Sequence, residues 1–87
     1  MATVHIPTQL RPLTGGQDRV EAAGQTLRQV FKALEADWPA LEGRIVAGDK
    51  IRPEIAVAID GVMIESGLLQ RLGDGAEIHL IPAIGGG

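Results

Sequence analysis

At 87 residues the chain has room for one hydrophobic core and no second domain. Its 45% hydrophobic and 22% charged residues exclude a disordered or low-complexity polymer; eight Lys and Arg against eleven Asp and Glu, with no basic cluster, argue against a protein that tracks nucleic-acid phosphates. The absence of cysteine removes a disulfide framework, a thiolate metal site and a sulfur nucleophile together; with no leader pattern at the start and no apolar run near the roughly 20 residues of a membrane span, the expectation is a soluble, cytoplasmic protein.

Thr3-Val4-His5-Ile6 alternates polar and apolar, which predicts a half-buried strand with Val4 and Ile6 inward, stopped by Pro7. After Leu10-Arg11-Pro12-Leu13, the run Thr14-Gly15-Gly16-Gln17 supplies glycines for a tight reversal, and Arg19-Val20-Glu21-Ala22 follows as a second strand, making a hairpin. The period then changes. Leu27, Val30, Phe31, Leu34 and Trp38 recur at three- and four-residue steps, one apolar stripe of a helix over 27–37. Thr26 is placed to cap it with Gln29 three residues on, and Pro39 disfavours its continuation. Trp38 reads as core or helix-end packing.

Residues 42–53 hold Gly43, Gly48 and Pro53 among mixed charges, so a loop with at most one short strand around Ile45-Val46 is expected. Ile55, Val57 and Ile59 alternate with Ala56 and Ala58, and Asp60-Gly61 is a two-residue hairpin turn into Val62-Met63-Ile64. Leu68, Leu69 and Leu72 make a brief apolar turn, Gly73-Asp74-Gly75 reverses the chain, and 76–81 is a last strand with Ile78 and Leu80 inward, ended by Pro82. The order is ββαββ, an α+β fold with one helix on a mixed sheet. If the helix is the crossover, the first and last strands lie parallel and adjacent in the middle.

Catalytic machinery is hard to assemble from these residues. Ser66, Thr8, Thr14 and Thr26 have no His-plus-acid neighbour at a suggestive spacing and read as turn or cap residues. His5 and His79 fall on the outward parity of their strands and stand side by side if those strands pair, yet two imidazoles lack the third ligand of a catalytic zinc. Neither glycine cluster gives a nucleotide-binding loop, and the carboxylates are scattered. The expectation is a protein that is no enzyme and holds no metal or cofactor of its own.

The end of the chain remains. Gly85, Gly86 and Gly87 follow Ile84, and at an average glycine frequency of about 7% a terminal Gly-Gly arises by chance in roughly 0.5% of chains. A frayed end is the plain explanation. The functional one is that the four residues from Ile84 to Gly87, three of them glycine, can thread about 14 Å into a narrow cleft and deliver the Gly87 carboxylate as a reagent. A carboxylate resists thiol and amine nucleophiles until its oxygen becomes a leaving group, which calls for a partner enzyme that adenylates Gly87 with ATP. Persulfide sulfur would then give a thiocarboxylate, and a lysine would give a conjugate. On this reading 1–84 is the folded handle, 85–87 a flexible tail, and Gly85 and Gly86 give access.

The element order, Leu72-Gly73-Asp74-Gly75-Ala76-Glu77 before Ile78-His79-Leu80-Ile81-Pro82, and the terminal Gly85-Gly86-Gly87 resemble the ubiquitin-like β-grasp sulfur carriers of the MoaD/ThiS family over nearly the whole chain. Ile6-Pro7-Thr8-Gln9-Leu10-Arg11-Pro12-Leu13-Thr14-Gly15-Gly16-Gln17 is similar to the opening of the CysO-like branch. The resemblance implies a β-grasp fold and a thiocarboxylate on Gly87 that donates sulfide, for cysteine first and otherwise for molybdopterin, thiamine, thionucleosides or secondary metabolites. It implies as partners an E1-like adenylating/sulfurtransferase enzyme, a sulfur-accepting synthase (cysteine-synthase-like, or a molybdopterin-synthase large subunit) and a metalloprotease. Two other readings stay open: a ubiquitin-like modifier joined to lysines through Gly87, and a non-covalent small subunit of a synthase. For the partner surface, geometry nominates His5, His79 and Ile81 on the outward sheet face, with Pro82 and Ile84 at the root of the tail.

Overall fold

The structure is a computed structural model and describes residues 1–82. Strand β1 is Ala2–His5, β2 Arg19–Ala22, β5 Ile55–Ile59, β6 Val62–Met63 and β7 Glu77–Pro82; these five form one sheet in the order β2-β1-β7-β5-β6. β1 and β7 are its central pair and run parallel, with Val4 opposite Ile78 and His5 opposite His79, while every other neighbour is antiparallel. The parallel pair requires a crossover, and helix α1, Leu27–Asp37, lies within it.

Thr26 stands in extended conformation as the cap of α1, its Oγ1 accepting from Gln29 N at 3.3 Å, and the Gln29 side chain reaches back to accept from Gln25 N at 2.8 Å. Two orphan donors are thus satisfied by one pair of side chains. The start of α1 is anchored to the segment that leads into β7, since Leu27 N donates to Gln70 O and Leu72 N to Gln25 O. Its stripe of Leu27, Val30, Phe31 and Leu34 is fully buried in one cluster with Ala2, Val4, Val57, Ile78 and Leu80 from one face of the sheet and with Ile6 just past β1. Trp38 is half-buried at the helix end, 3.5 Å from where a Cβ on Gly15 would stand.

Three expectations are corrected. β1 ends at His5, not Ile6, and the glycine turn does not by itself join it to β2: a 3₁₀ helix, Thr8–Thr14, with Pro12 inside it, intervenes before the expected turn at Gly15-Gly16. Pro7 fixes an extended entry and its carbonyl accepts from Leu10 N, while Ile6, beyond the strand, still points into the core. Residues 42–53 hold two strands rather than at most one: β3, Val46–Ala47, and β4, Lys50–Ile51, pair as a separate hairpin around Gly48, whose φ of 64° suits a residue without Cβ. This hairpin follows a 3₁₀ turn, Pro39–Leu41, and the segment seats Leu41 and Ile45 in the core. Finally, the last strand runs through Pro82, which pairs opposite Ile55 instead of lying beyond the sheet.

Candidate functional site

Because side chains alternate along a strand, register decides which residues share the face away from α1. One row crosses the sheet as Arg19, His5, His79, Ala58 and Met63, each opposite the next. The row on the side where β7 ends holds Ile81 beside Ala56, and the row on the other side Glu21, Thr3 and Glu77. The open face therefore grades from acidic, through the histidine row, to apolar where the chain leaves the sheet.

The two histidines meet as the strand parity predicts. Their rings stack with centroids 4.0 Å apart and planes 5° from parallel. His5 Nε2 lies 2.6 Å from Glu77 Oε1, and with Glu77 ionised the ring N–H donates. The Glu77 main chain is held in turn by Asp60, whose Oδ1 accepts from Glu77 N at 3.0 Å and whose own N–H donates to Glu77 O. Asp60 and Gly61 both have positive φ, 52° and 87°, the geometry of the two-residue hairpin turn. The turn that closes β5 onto β6 thus also fixes the residue that orients His5. Among the described residues no group of three or more His, Cys, Asp or Glu is arranged to hold a metal ion.

Ile81 is 43% exposed and Met63 56%. Ala56 and Ala58 lie between their strands as a low apolar floor, so this half of the face is flat. Met63 was not among the residues nominated from sequence, though its signal was present: a two-residue turn at Asp60-Gly61 puts it opposite Ala58 and so on the outward parity. Of the nominated residues, His5, His79 and Ile81 come together. Pro82 does not join them: it shares the helix-side face with Ile55 and borders a separate depression with Leu10, Arg44 and Arg52. Ile84, Gly85, Gly86 and Gly87 lie outside the described residues. Beside that second depression the Arg52 guanidinium donates to Glu54 at 2.8 Å, which holds the Glu54 carboxyl below its ordinary range.

A five-stranded mixed sheet with parallel first and last strands in its centre and one helix across one face defines the ubiquitin-like β-grasp class. The family model described as "ThiS family" matches residues 4–87, and the chain belongs to that family. It is 38% identical to the sulfur carrier protein CysO of Mycobacterium tuberculosis over 98% of this chain and 97% of that one. A chain in the crystal structure of the Amycolatopsis orientalis BexX/CysO complex superposes with a TM-score of 0.92 at 32% identity, covering 100% of both. Small archaeal modifier protein 3 of Haloferax volcanii is 30% identical over 71% of this chain and 70% of its own length. The match to the CysO branch read from the opening segment extends over 98% of the chain.

Proposed function

We propose that this chain is a sulfur carrier and no catalyst, its cargo held as a thiocarboxylate on Gly87. The observation that carries this reading is the end-to-end similarity to a sulfur carrier protein, 38% identity over 98% of the chain, in a sequence that ends in Gly85-Gly86-Gly87. The chemistry needs two steps. The Gly87 carboxylate attacks the α-phosphorus of ATP within a partner enzyme, forming an acyl adenylate and releasing pyrophosphate. Hydrosulfide then attacks the acyl carbon and AMP leaves, or a persulfide does so and a second thiol reduces the resulting acyl disulfide. The thiocarboxylate is a sulfide donor, and cysteine biosynthesis is the pathway this similarity favours, with a synthase accepting the sulfur and a metalloprotease removing a product built on the carrier's end. ATP is the partner's substrate, and the cytoplasm is where such a partner would work.

On this reading residues 1–84 are a handle and 85–87 the arm, with Gly85 and Gly86 narrow enough to enter a cleft. The open face along β7 is the docking surface, with His5, His79 and Ile81 on it. The test is mass spectrometry of the intact chain after incubation with ATP, an adenylating enzyme and a sulfur source. One oxygen-to-sulfur exchange on Gly87 is expected. Deleting Gly87 should leave the melting temperature unchanged and abolish the exchange, because Gly86 would end about 3.5 Å short of the reacting phosphate. Unmodified protein throughout, or sulfur mapped to another residue, would overturn the reading.

The similarity to a small archaeal modifier protein favours one second reading, conjugation of Gly87 to lysine amines. Isopeptide-linked products that vanish with Gly87 would establish it. Both readings share the adenylate.

A further inference from the structure

Where β1 finishes beside the middle of β7, a shallow depression of about 450 Å3 opens between the histidine row and the first 3₁₀ helix, bordered by His5, His79, Arg11, Arg19 and Asp18. Arg11 is half-buried there and held in place: its Nε donates to the Ile6 carbonyl at 3.0 Å, and its terminal guanidinium nitrogens form no hydrogen bond or ion pair among the described residues. Arg19 stands opposite His5 across the sheet and likewise has no ion pair among them. Asp18, the acid of the depression, pairs with neither arginine, and Glu77 on the adjoining row is engaged by His5. In a chain of net charge −3, the rim at the end of β1 thus carries two guanidinium groups without an ion pair among the described residues, one of them immobilised.

A half-buried guanidinium loses hydration without recovering it from a carboxylate, and its fork of N–H donors suits a planar carboxylate in two-point contact. The neighbouring half of the face is apolar, through Ile81, Ala56, Ala58 and Met63. The geometry points to Arg11, with Arg19, as the seat for an acidic side chain of the enzyme that adenylates Gly87. The partner's rim is then acidic where it meets this depression and apolar where it meets Ile81 and Met63. Charge orients the carrier on approach, so that the chain leaving Pro82 faces the cleft, and the apolar half sets how long it stays. This inference rests on the carrier reading and adds the chemistry of the surface that reads the carrier.

The experiment is ATP–pyrophosphate exchange supported by the whole chain, with the adenylating enzyme that the wild-type chain engages in a Gly87-dependent manner. Arg11→Gln is expected to raise the KM for the carrier about tenfold and Arg19→Gln about threefold, with kcat unchanged because Gly87 reaches the same phosphate. Added KCl should raise the wild-type KM and raise that of Arg11→Gln much less. Arg11→Gln also removes the bond to Ile6, so its melting curve is compared with wild type; Arg19→Gln touches no such bond and tests the seat independently. Arg11→Lys, which keeps the charge without the fork, should fall between. Exchange with wild-type KM and salt dependence in both glutamine variants would overturn the inference and leave the carrier standing. No Gly87-dependent exchange with any adenylating enzyme would remove the carrier reading and this inference with it.

Discussion

Thr14 is the one fully buried polar residue among those described, and its hydroxyl lies 3.2 Å from the Arg11 carbonyl and 3.0 Å from that of Gln17. A single proton serves both acceptors and ties the 3₁₀ helix to the approach to β2, replacing the sheet bonds that a tight hairpin would have made. Phe31 is the opposite case, a purely apolar side chain of 1% exposure facing the sheet from the middle of α1. Phe31→Ala deletes most of that side chain from the one core cluster among the described residues. A loss of about 3 to 5 kcal/mol in unfolding free energy is expected, read from the denaturant midpoint. An unmoved midpoint would contradict the core.

At the scale of elements, α1 was legible to the residue because three signals agree: the stripe, the cap at Thr26 and the stop at Pro39. The pairing of His5 with His79 was legible too, since parity and a parallel central pair leave one arrangement. The 3₁₀ helix was not: Pro7 and Pro12 announce a break in the strand without saying which geometry fills it, whereas the reversal at Gly15-Gly16 forms as read, with both φ positive and Gln17 N donating to Thr14 O at 3.0 Å. β3 and β4, two residues each, are too short to show a period, and their position follows from the burial of Leu41 and Ile45. The face taken by Pro82 was hidden because proline was read as the end of the strand, whereas at this position it continues the alternation opposite Ile55.

The outer side of α1 carries an electrostatic conflict that the periodicity does not reveal. Partial burial is the main cause raising the Glu35 carboxyl above its ordinary 4.5, repulsion from Glu42 adds to it, and Lys32 opposes both. A carboxyl whose folded value lies above its unfolded one favours the fold while protonated, and that contribution is lost as pH rises through the folded value. Glu35→Gln should therefore melt higher than wild type at pH 7, and the advantage should vanish in scans below pH 4.5. A variant that melts lower at pH 7 would mean the charge is stabilising where it stands.

For the molecule as a whole, the sheet divides its labour between faces: one is consumed by α1 and the core, the other is left open with an apolar margin at the exit of β7. Ile81 makes no demand on the core, so Ile81→Glu should fold with a melting temperature within a few degrees of wild type. Placed against an apolar region of the adenylating partner, the buried charge should cut the carrier's kcat/KM by tenfold or more. Unaltered adenylation would detach the open face from docking. The row arrangement explains why the surface was only partly legible: His5, His79 and Ile81 announce themselves by parity, whereas Met63, Ala56, Arg19 and Arg11 join them only once the strand order and the 3₁₀ helix are known.

The parallel pairing of β1 with β7 has a mechanical side. The chain enters the sheet at the start of β1 and leaves it at the end of β7, at opposite ends of two strands that lie side by side. A pull on the chain beyond Pro82 runs along β7 and across ladders to β1 on one side and β5 on the other. Those hydrogen bonds are loaded in shear, all together, where a strand peeled from an edge would give way one bond at a time. A domain gripped by its terminus and drawn toward a cleft is therefore pulled along its strongest axis, and the sheet bearing the docking face keeps its shape under that tension.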